Sequence, residues 1–119
     1  NFDTSLAEGL MLLTPFAADA TDEKTVNFVK AYKDKFGDTP IQFAADAYDA
    51  AYIIKAAAEA GNLTPDMSVS DLGTAMEEQM KTLKYDGLTG SGMTWDENGD
   101  VDKEPKAVIV KDGAYTSAD

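Results

Sequence analysis

Residues 85–115 read "YDGLTGSGMTWDENGDVDKEPKAVIVKDGAY", and the way this stretch folds decides what the rest of the chain can be. Its centre, "TWDENGD" (94–100), gathers Asp96, Glu97, Asn98 and Asp100 around Gly99, next to Trp95. A calcium loop of the EF-hand kind needs Gly at its sixth position and a bidentate Glu at its twelfth. Counted from Asp96, those positions hold Val101 and Ala107, so the match fails where it matters. A catalytic carboxylate pair needs burial or mutual repulsion to split its pKa values. A run interrupted by Gly99, with Lys103 close by in sequence, reads as solvated instead. Asn98-Gly99 is a turn signal between extended segments. The stretch is therefore read as a turn between two strands. Further on, "KAVIVKDGAY" (106–115) reads as a strand, an Asp112-Gly113 turn and a short strand. "LTGSGMTW" (88–95) alternates loosely and reads as extended.

Upstream the period changes to that of helices. Thr21 is the expected cap of a first helix, with Asp22 and Glu23 at the positive end of the helix dipole. Val26, Val29, Tyr32 and Phe36 follow at helical spacing, and Gly37 is the expected stop. A second helix is expected from Thr39 and Pro40 to Gly61-Asn62, with Phe43, Ala47, Ala51 (or Ala50), Ile54 and Ala58 as its apolar face. A third is expected from a Ser70 cap, with Leu72, Met76, Met80 and Leu83 as its stripe. "GLMLL" (9–13) reads as a buried strand ended by Thr14-Pro15, since Pro15 has no N–H to donate.

Composition narrows the function. The chain has 119 residues, 44% of them hydrophobic, with no Cys and no His and a formal net charge of −12. Thiolate nucleophiles, imidazole bases and the usual zinc sites are excluded. So acidic a surface disfavours nucleic acid and anionic lipid as partners. "LMLL" and "AVIV" are far too short to span a bilayer. No metal or other cofactor is expected.

The resulting order is strand, helix, helix, helix, strand, strand. The composition is α/β, but a parallel sheet wants strands alternating with helices. Each helical stripe holds several apolar side chains, each contributing about 1.5–3 kcal/mol when buried. The strands that such helices cover are expected from elsewhere: an absent N-terminal part of the same protein, or a second copy of this chain. The opening at Asn1 without an initiator Met carries the same expectation, a piece of something longer.

Three stretches together resemble one family. "YDGLTGSGMTWDENGDVDKEPKAVIVKDGAY" (85–115), "AEGLMLLTPF" (7–16) and "FVKAYKDKFGDTPIQFAADAYDAAYIIKAAAEAG" (28–61) are similar, in that set of positions, to the C-terminal part of branched-chain amino acid (leucine/isoleucine/valine) type solute-binding proteins of ABC importers. The resemblance covers nearly the whole chain. It implies part of a type I periplasmic-binding-protein fold, two lobes with a ligand cleft between them. It implies that 1–14 ends one lobe as a strand, that 15–107 holds the helices of the other lobe and the extended TWDENGD segment, and that 108–119 returns as strands to the first lobe. It implies a binding protein rather than an enzyme, placed in the periplasm or lipid-anchored on the outer face of the cytoplasmic membrane. A small ligand such as an amino acid or amide, and the membrane permease of the importer, are the implied partners. The alternatives are a sensory receptor ligand-binding domain of the same fold and, with less support, a receiver-like signalling domain; three consecutive helices argue against the latter.

The expected ligand-binding residue is Phe43. Ligands in α/β sheets bind at the carboxyl ends of strands, where helix N-termini gather, and Phe43 falls in the first turn of the second helix. The resemblance implies an aromatic side chain lining the pocket there; the alternative is that Phe43 is core. Tyr48 and Tyr52 are read as packing residues with polar tips. Asp46 and Asp49 are read as a solvated helix edge, Met76 and Met80 as core, and Trp95 as a cover for the sheet edge. The groups that would hold an amino acid's ammonium and carboxylate are expected upstream of Asn1. No catalytic and no metal-binding residue is expected.

Overall fold

The computed structural model describes residues 3–118. A short 3-10 helix, Thr4–Ala7, leads into strand β1 (Met11–Thr14). Helices α1 (Glu23–Phe36), α2 (Gln42–Ala60) and α3 (Val69–Met80) follow. Short strands β2 (Thr94–Trp95) and β3 (Val101–Asp102) precede β4 (Lys106–Lys111) and β5 (Ala114–Ser117). This is the expected α/β order of three helices with a few strands. The chain gathers into two compact units, one running to Ala45 and resuming at Glu104, the other Asp46–Lys103, with a division falling inside α2.

In the first unit, β1, β4 and β5 form an antiparallel sheet in the order β1-β4-β5. β1 lies against β4 with Leu12 opposite Val108 and Thr14 opposite Lys106. β4 turns into β5 through Asp112-Gly113, whose φ angles of 51° and 75° give the two-residue mirror-image turn that suits a twisted hairpin. Side chains alternate across a strand, so Thr14, Val108 and Val110 share a face, and all three are buried. Met11 and Leu13 lie on the opposite face at 60% and 72% exposure. The expectation of a wholly buried strand at 9–13 is thus corrected. The ladder begins at Met11, and of its four residues only Thr14 is buried.

α1 starts one residue later than expected. Asp22, not Thr21, is its cap and accepts a hydrogen bond from the Thr25 N–H at 3.0 Å, and Gly37 ends it in the left-handed region. Phe28 packs edge-on against buried Phe16 with ring centroids 5.8 Å apart. Val26 and Phe36, assigned to the apolar stripe, are exposed.

In the second unit, α3 is capped by Ser68 rather than Ser70. The Ser68 hydroxyl accepts from the Asp71 N–H at 3.1 Å and donates to the Asp71 carboxylate at 2.7 Å, a reciprocal cap. Leu83 lies beyond the end of α3, while Met76 and Met80 are half-buried. β2 and β3 pair as a hairpin, Thr94 opposite Asp102 and Trp95 opposite Val101. The loop between them is the turn read from the sequence. The Asp96 N–H donates to the Asp100 carbonyl at 3.0 Å, and the Asp96 carboxylate accepts from the Asn98 and Asp100 N–H groups at 2.8 and 2.9 Å. The Asp100 N–H foremost, with those of Asn98 and Gly99, holds the exposed Asp96 carboxyl below its ordinary value.

The buried side of α2 differs from the one expected. Ala45, Asp49 and Ala57 are buried and Ile53 half-buried, a strict four-residue spacing. Phe43 and Ile54, placed on the apolar face by periodicity, are 73% and 58% exposed. An Ala-rich helix has several apolar faces to choose from, and the one with small residues and Asp49 is the one that is covered.

Candidate functional site

Thr14 is the last residue of β1, and its burial brings the strand's carboxyl end to the start of α2. Its hydroxyl oxygen lies 2.9 Å from the Gln42 Oε1 atom, on the first residue of the helix. The same hydroxyl lies 3.1 Å from the Phe16 carbonyl and accepts from the Phe16 N–H at 3.3 Å. A strand end and a helix start are thereby joined 28 residues apart in sequence. Pro40 is buried just before, while Ile41 and Phe43 stay exposed. Ligands of open parallel α/β sheets bind outside the carboxyl ends of strands, near helix N-termini; here a strand end and a helix start meet beside an antiparallel sheet. Phe43 offers an aromatic face there, with little packing of its own.

A second polar centre lies in the other unit, and it corrects the reading of Asp49 as a solvated helix edge. Asp49 is 2% exposed. Its carboxylate accepts from the Leu88 N–H at 2.9 Å, the Thr89 N–H at 2.8 Å and the Thr89 hydroxyl at 2.8 Å. Within the segment 87–90 the Gly87 N–H donates to the Gly90 carbonyl at 2.9 Å, and Asp49 supplies the acceptors for the two N–H groups between them. Gly87 is required beside it, because a Cβ there would meet the Asp49 Oδ2 atom at 2.4 Å. The Lys103 ammonium donates to the Thr89 hydroxyl at 3.3 Å and lies 3.7 Å from Asp46, so one cation offsets part of the negative charge of the two carboxylates. Asp46, also read as solvated, is half-buried at this ion pair. Burial first, and then the negative charge of Asp49, pushes the nearby Tyr85 hydroxyl up from its ordinary pKa.

Tyr48 and Tyr52 are stacked with ring centroids 4.7 Å apart and remain partly exposed. Their hydrogen bond, followed by burial, raises the Tyr48 pKa. Trp95 borders a depression of about 480 Å³ with Gly73, Met76 and Met80, rimmed by Glu77 and Lys81. Among the described residues no group of three or more acidic side chains converges to hold a metal ion. No described helix is long and apolar enough to cross a membrane. Asp49 is the residue that sequence reasoning missed. Its signal was the four-residue spacing with Ala45 and Ala57, which places it on the helix face that carries the smallest side chains.

The sequence matches the periplasmic binding protein family over residues 3–114. Among curated proteins none matches significantly. A solved leucine-binding protein from Thermotoga maritima is 30% identical, with a TM-score of 0.72 over 95% of this chain and 31% of that one. An ABC transporter substrate-binding protein from Desulfitobacterium hafniense, solved in complex with Leu, is 24% identical with a TM-score of 0.77, over 95% of this chain and 32% of its own. A solute-binding protein from R. palustris, solved in complex with benzoate, is 15% identical with a TM-score of 0.72, over 94% and 29%. The last two likenesses speak to fold alone. The chain spans about a third of the length of the structures it resembles.

Proposed function

The chain belongs to the periplasmic binding protein family, and from that premise we propose that it forms one side of the ligand cleft in an extracytoplasmic solute-binding protein of an ABC importer. It acts by binding, without turnover, and hands its ligand to the importer's membrane permease. The ligand is a small carboxylate, an apolar amino acid in the first instance, since the Leu complex and the leucine-binding relative share this fold. The observation that carries the reading is the junction of β1 with α2 at Thr14 and Gln42, with Phe43 exposed next in line. An exposed aromatic ring on a fixed helix start gives an apolar wall for a ligand side chain at small entropic cost, because the ring has only two rotatable bonds. The ammonium and carboxylate of the ligand are held by other parts of the protein. The exposed faces of β1 and α2 are covered there as well.

The test is a calorimetric titration of the intact protein with L-leucine, L-valine, L-alanine and benzoate. Binding of at least one at micromolar or tighter Kd, one ligand per protein, is expected. Absence of binding across the panel, together with turnover of an ester or glycoside substrate, would overturn the reading.

A further inference from the structure

The hydroxyl of Thr14 is not needed for the strand ladder; it serves the bend beyond it, where it accepts from the Phe16 N–H at 3.3 Å. Val has the same shape and β preference, and it would be buried there without desolvating a polar atom. Thr14 is 9% exposed, so its hydroxyl needs partners within the protein. One O–H proton can serve either the Phe16 carbonyl at 3.1 Å or the Gln42 amide at 2.9 Å. With the Gln42 amide turned end for end, its N–H₂ donates to the Thr14 oxygen while the hydroxyl donates to the Phe16 carbonyl. The two protons then have separate acceptors, as the near-equivalence of amide O and N allows. In either orientation one side chain ties together the end of β1, the bend at Phe16 and the first residue of α2.

Phe43 follows Gln42 directly and is 73% exposed, so the packing of its ring does little to aim it. Its direction is set by the backbone of the first turn of α2, where helices fray. Gln42 is the residue of that turn bonded to buried Thr14. A ligand wall must be held to within roughly 0.5 Å to be selective. We propose that Thr14 and Gln42 are a positioning pair that holds Phe43 at the ligand, and so contribute to ligand affinity without touching the ligand. The proposal rests on the reading of Phe43 as a cleft residue.

The experiment uses the intact protein, with L-leucine, L-valine, L-alanine and benzoate as probes and the tightest binder taken forward. Thr14→Val removes the hydroxyl and keeps the shape; Thr14→Ser keeps the hydroxyl; Gln42→Leu removes the other partner at a half-exposed helix position that tolerates the change. Kd and thermal midpoint are measured for each, alone and with Phe43→Ala. The expected result is a Kd raised five- to tenfold by Thr14→Val and by Gln42→Leu, within twofold of wild type for Thr14→Ser, and changed less than twofold further when either is added to Phe43→Ala. If Thr14→Val does not fold, Gln42→Leu and Thr14→Ser carry the same comparison. A Kd unchanged by Gln42→Leu and Thr14→Val while Phe43→Ala weakens binding would overturn the pairing and leave the cleft reading in place. Equal losses with and without Phe43 would also overturn it, since the pair would then act on the fold at large. A Kd unchanged by Phe43→Ala, or no binding of any of L-leucine, L-valine, L-alanine and benzoate, would remove the cleft reading and the inference together.

Discussion

Replacing Asp49 removes a buried carboxylate that accepts three hydrogen bonds. Asp49→Ala leaves the Leu88 N–H, the Thr89 N–H and the Thr89 hydroxyl without their acceptor. Each buried donor left unpaired costs about 1–3 kcal/mol. The hydroxyl can rotate toward another acceptor, so two full losses are counted, about 2–6 kcal/mol in all. Asp49→Asn is milder. With its oxygen where Oδ2 now sits it still accepts from both Thr89 groups, but its N–H₂ then faces the Leu88 N–H, a loss of about 1–3 kcal/mol. Gly87 supplies the decisive control. In Gly87→Ala the new Cβ lies 2.4 Å from the Asp49 carboxylate, which must move and break the bonds that hold segment 87–90. In an Asp49→Ala background that carboxylate is gone, and the second substitution is nearly free. The two costs are therefore strongly sub-additive, with a coupling of about 1–3 kcal/mol, at the upper end of what touching residues show. Urea denaturation of wild type, both single variants and the double variant measures the cycle. A loss below about 1 kcal/mol for Asp49→Ala, or simple additivity with Gly87→Ala, would refute the claim that Asp49 organises this loop.

Three further outcomes follow from particular contacts. Phe43→Ala should raise the Kd of the intact protein for its ligand at least tenfold, while costing the 119-residue chain less than about 1 kcal/mol, as expected of an exposed side chain; matched titration and denaturation measure both. Asp19 accepts from the Ser117 N–H at 2.8 Å, which lowers its pKa from 3.8. A carboxyl more acidic folded than unfolded stabilises fully above the unfolded value and loses that contribution as pH falls through the folded one. Asp19→Asn should therefore be less stable than wild type at pH 6, and the gap should narrow progressively as pH falls below 3.8 in parallel urea titrations. Finally, the 119-residue chain alone should dimerise or bind a hydrophobic dye through Met11, Leu13, Phe43 and Ile54, all more than half exposed. Its charge of −12 opposes association only over the roughly 8 Å screening length at physiological salt. Sedimentation equilibrium showing a monomer, with no dye binding, would refute this.

What the sequence determined by itself is the local grammar. The helical period over 23–36, 42–60 and 69–80 and the turns at Asn98-Gly99 and Asp112-Gly113 depend on residues a few positions apart, so they were legible. Even there the caps slipped: two serines stand two apart at 68 and 70, and only the reciprocal bonds between Ser68 and Asp71 choose between them. The family was legible too, because the order of strand, helices and turns is itself a pattern along the chain. The position of Phe43 at a helix start could be read, but not the Thr14–Gln42 contact that fixes that start. Tertiary structure alone decided which face of α2 is covered. Periodicity favoured Phe43 and Ile54, yet the covered residues are Ala45, Asp49 and Ala57. The reason is physical: a buried carboxylate is tolerable only where donors converge on it. The donors for Asp49 come from Leu88 and Thr89, 39 and 40 residues further along. A contact at that separation leaves no period and no spacing in the sequence, and only the folded chain brings its two halves together.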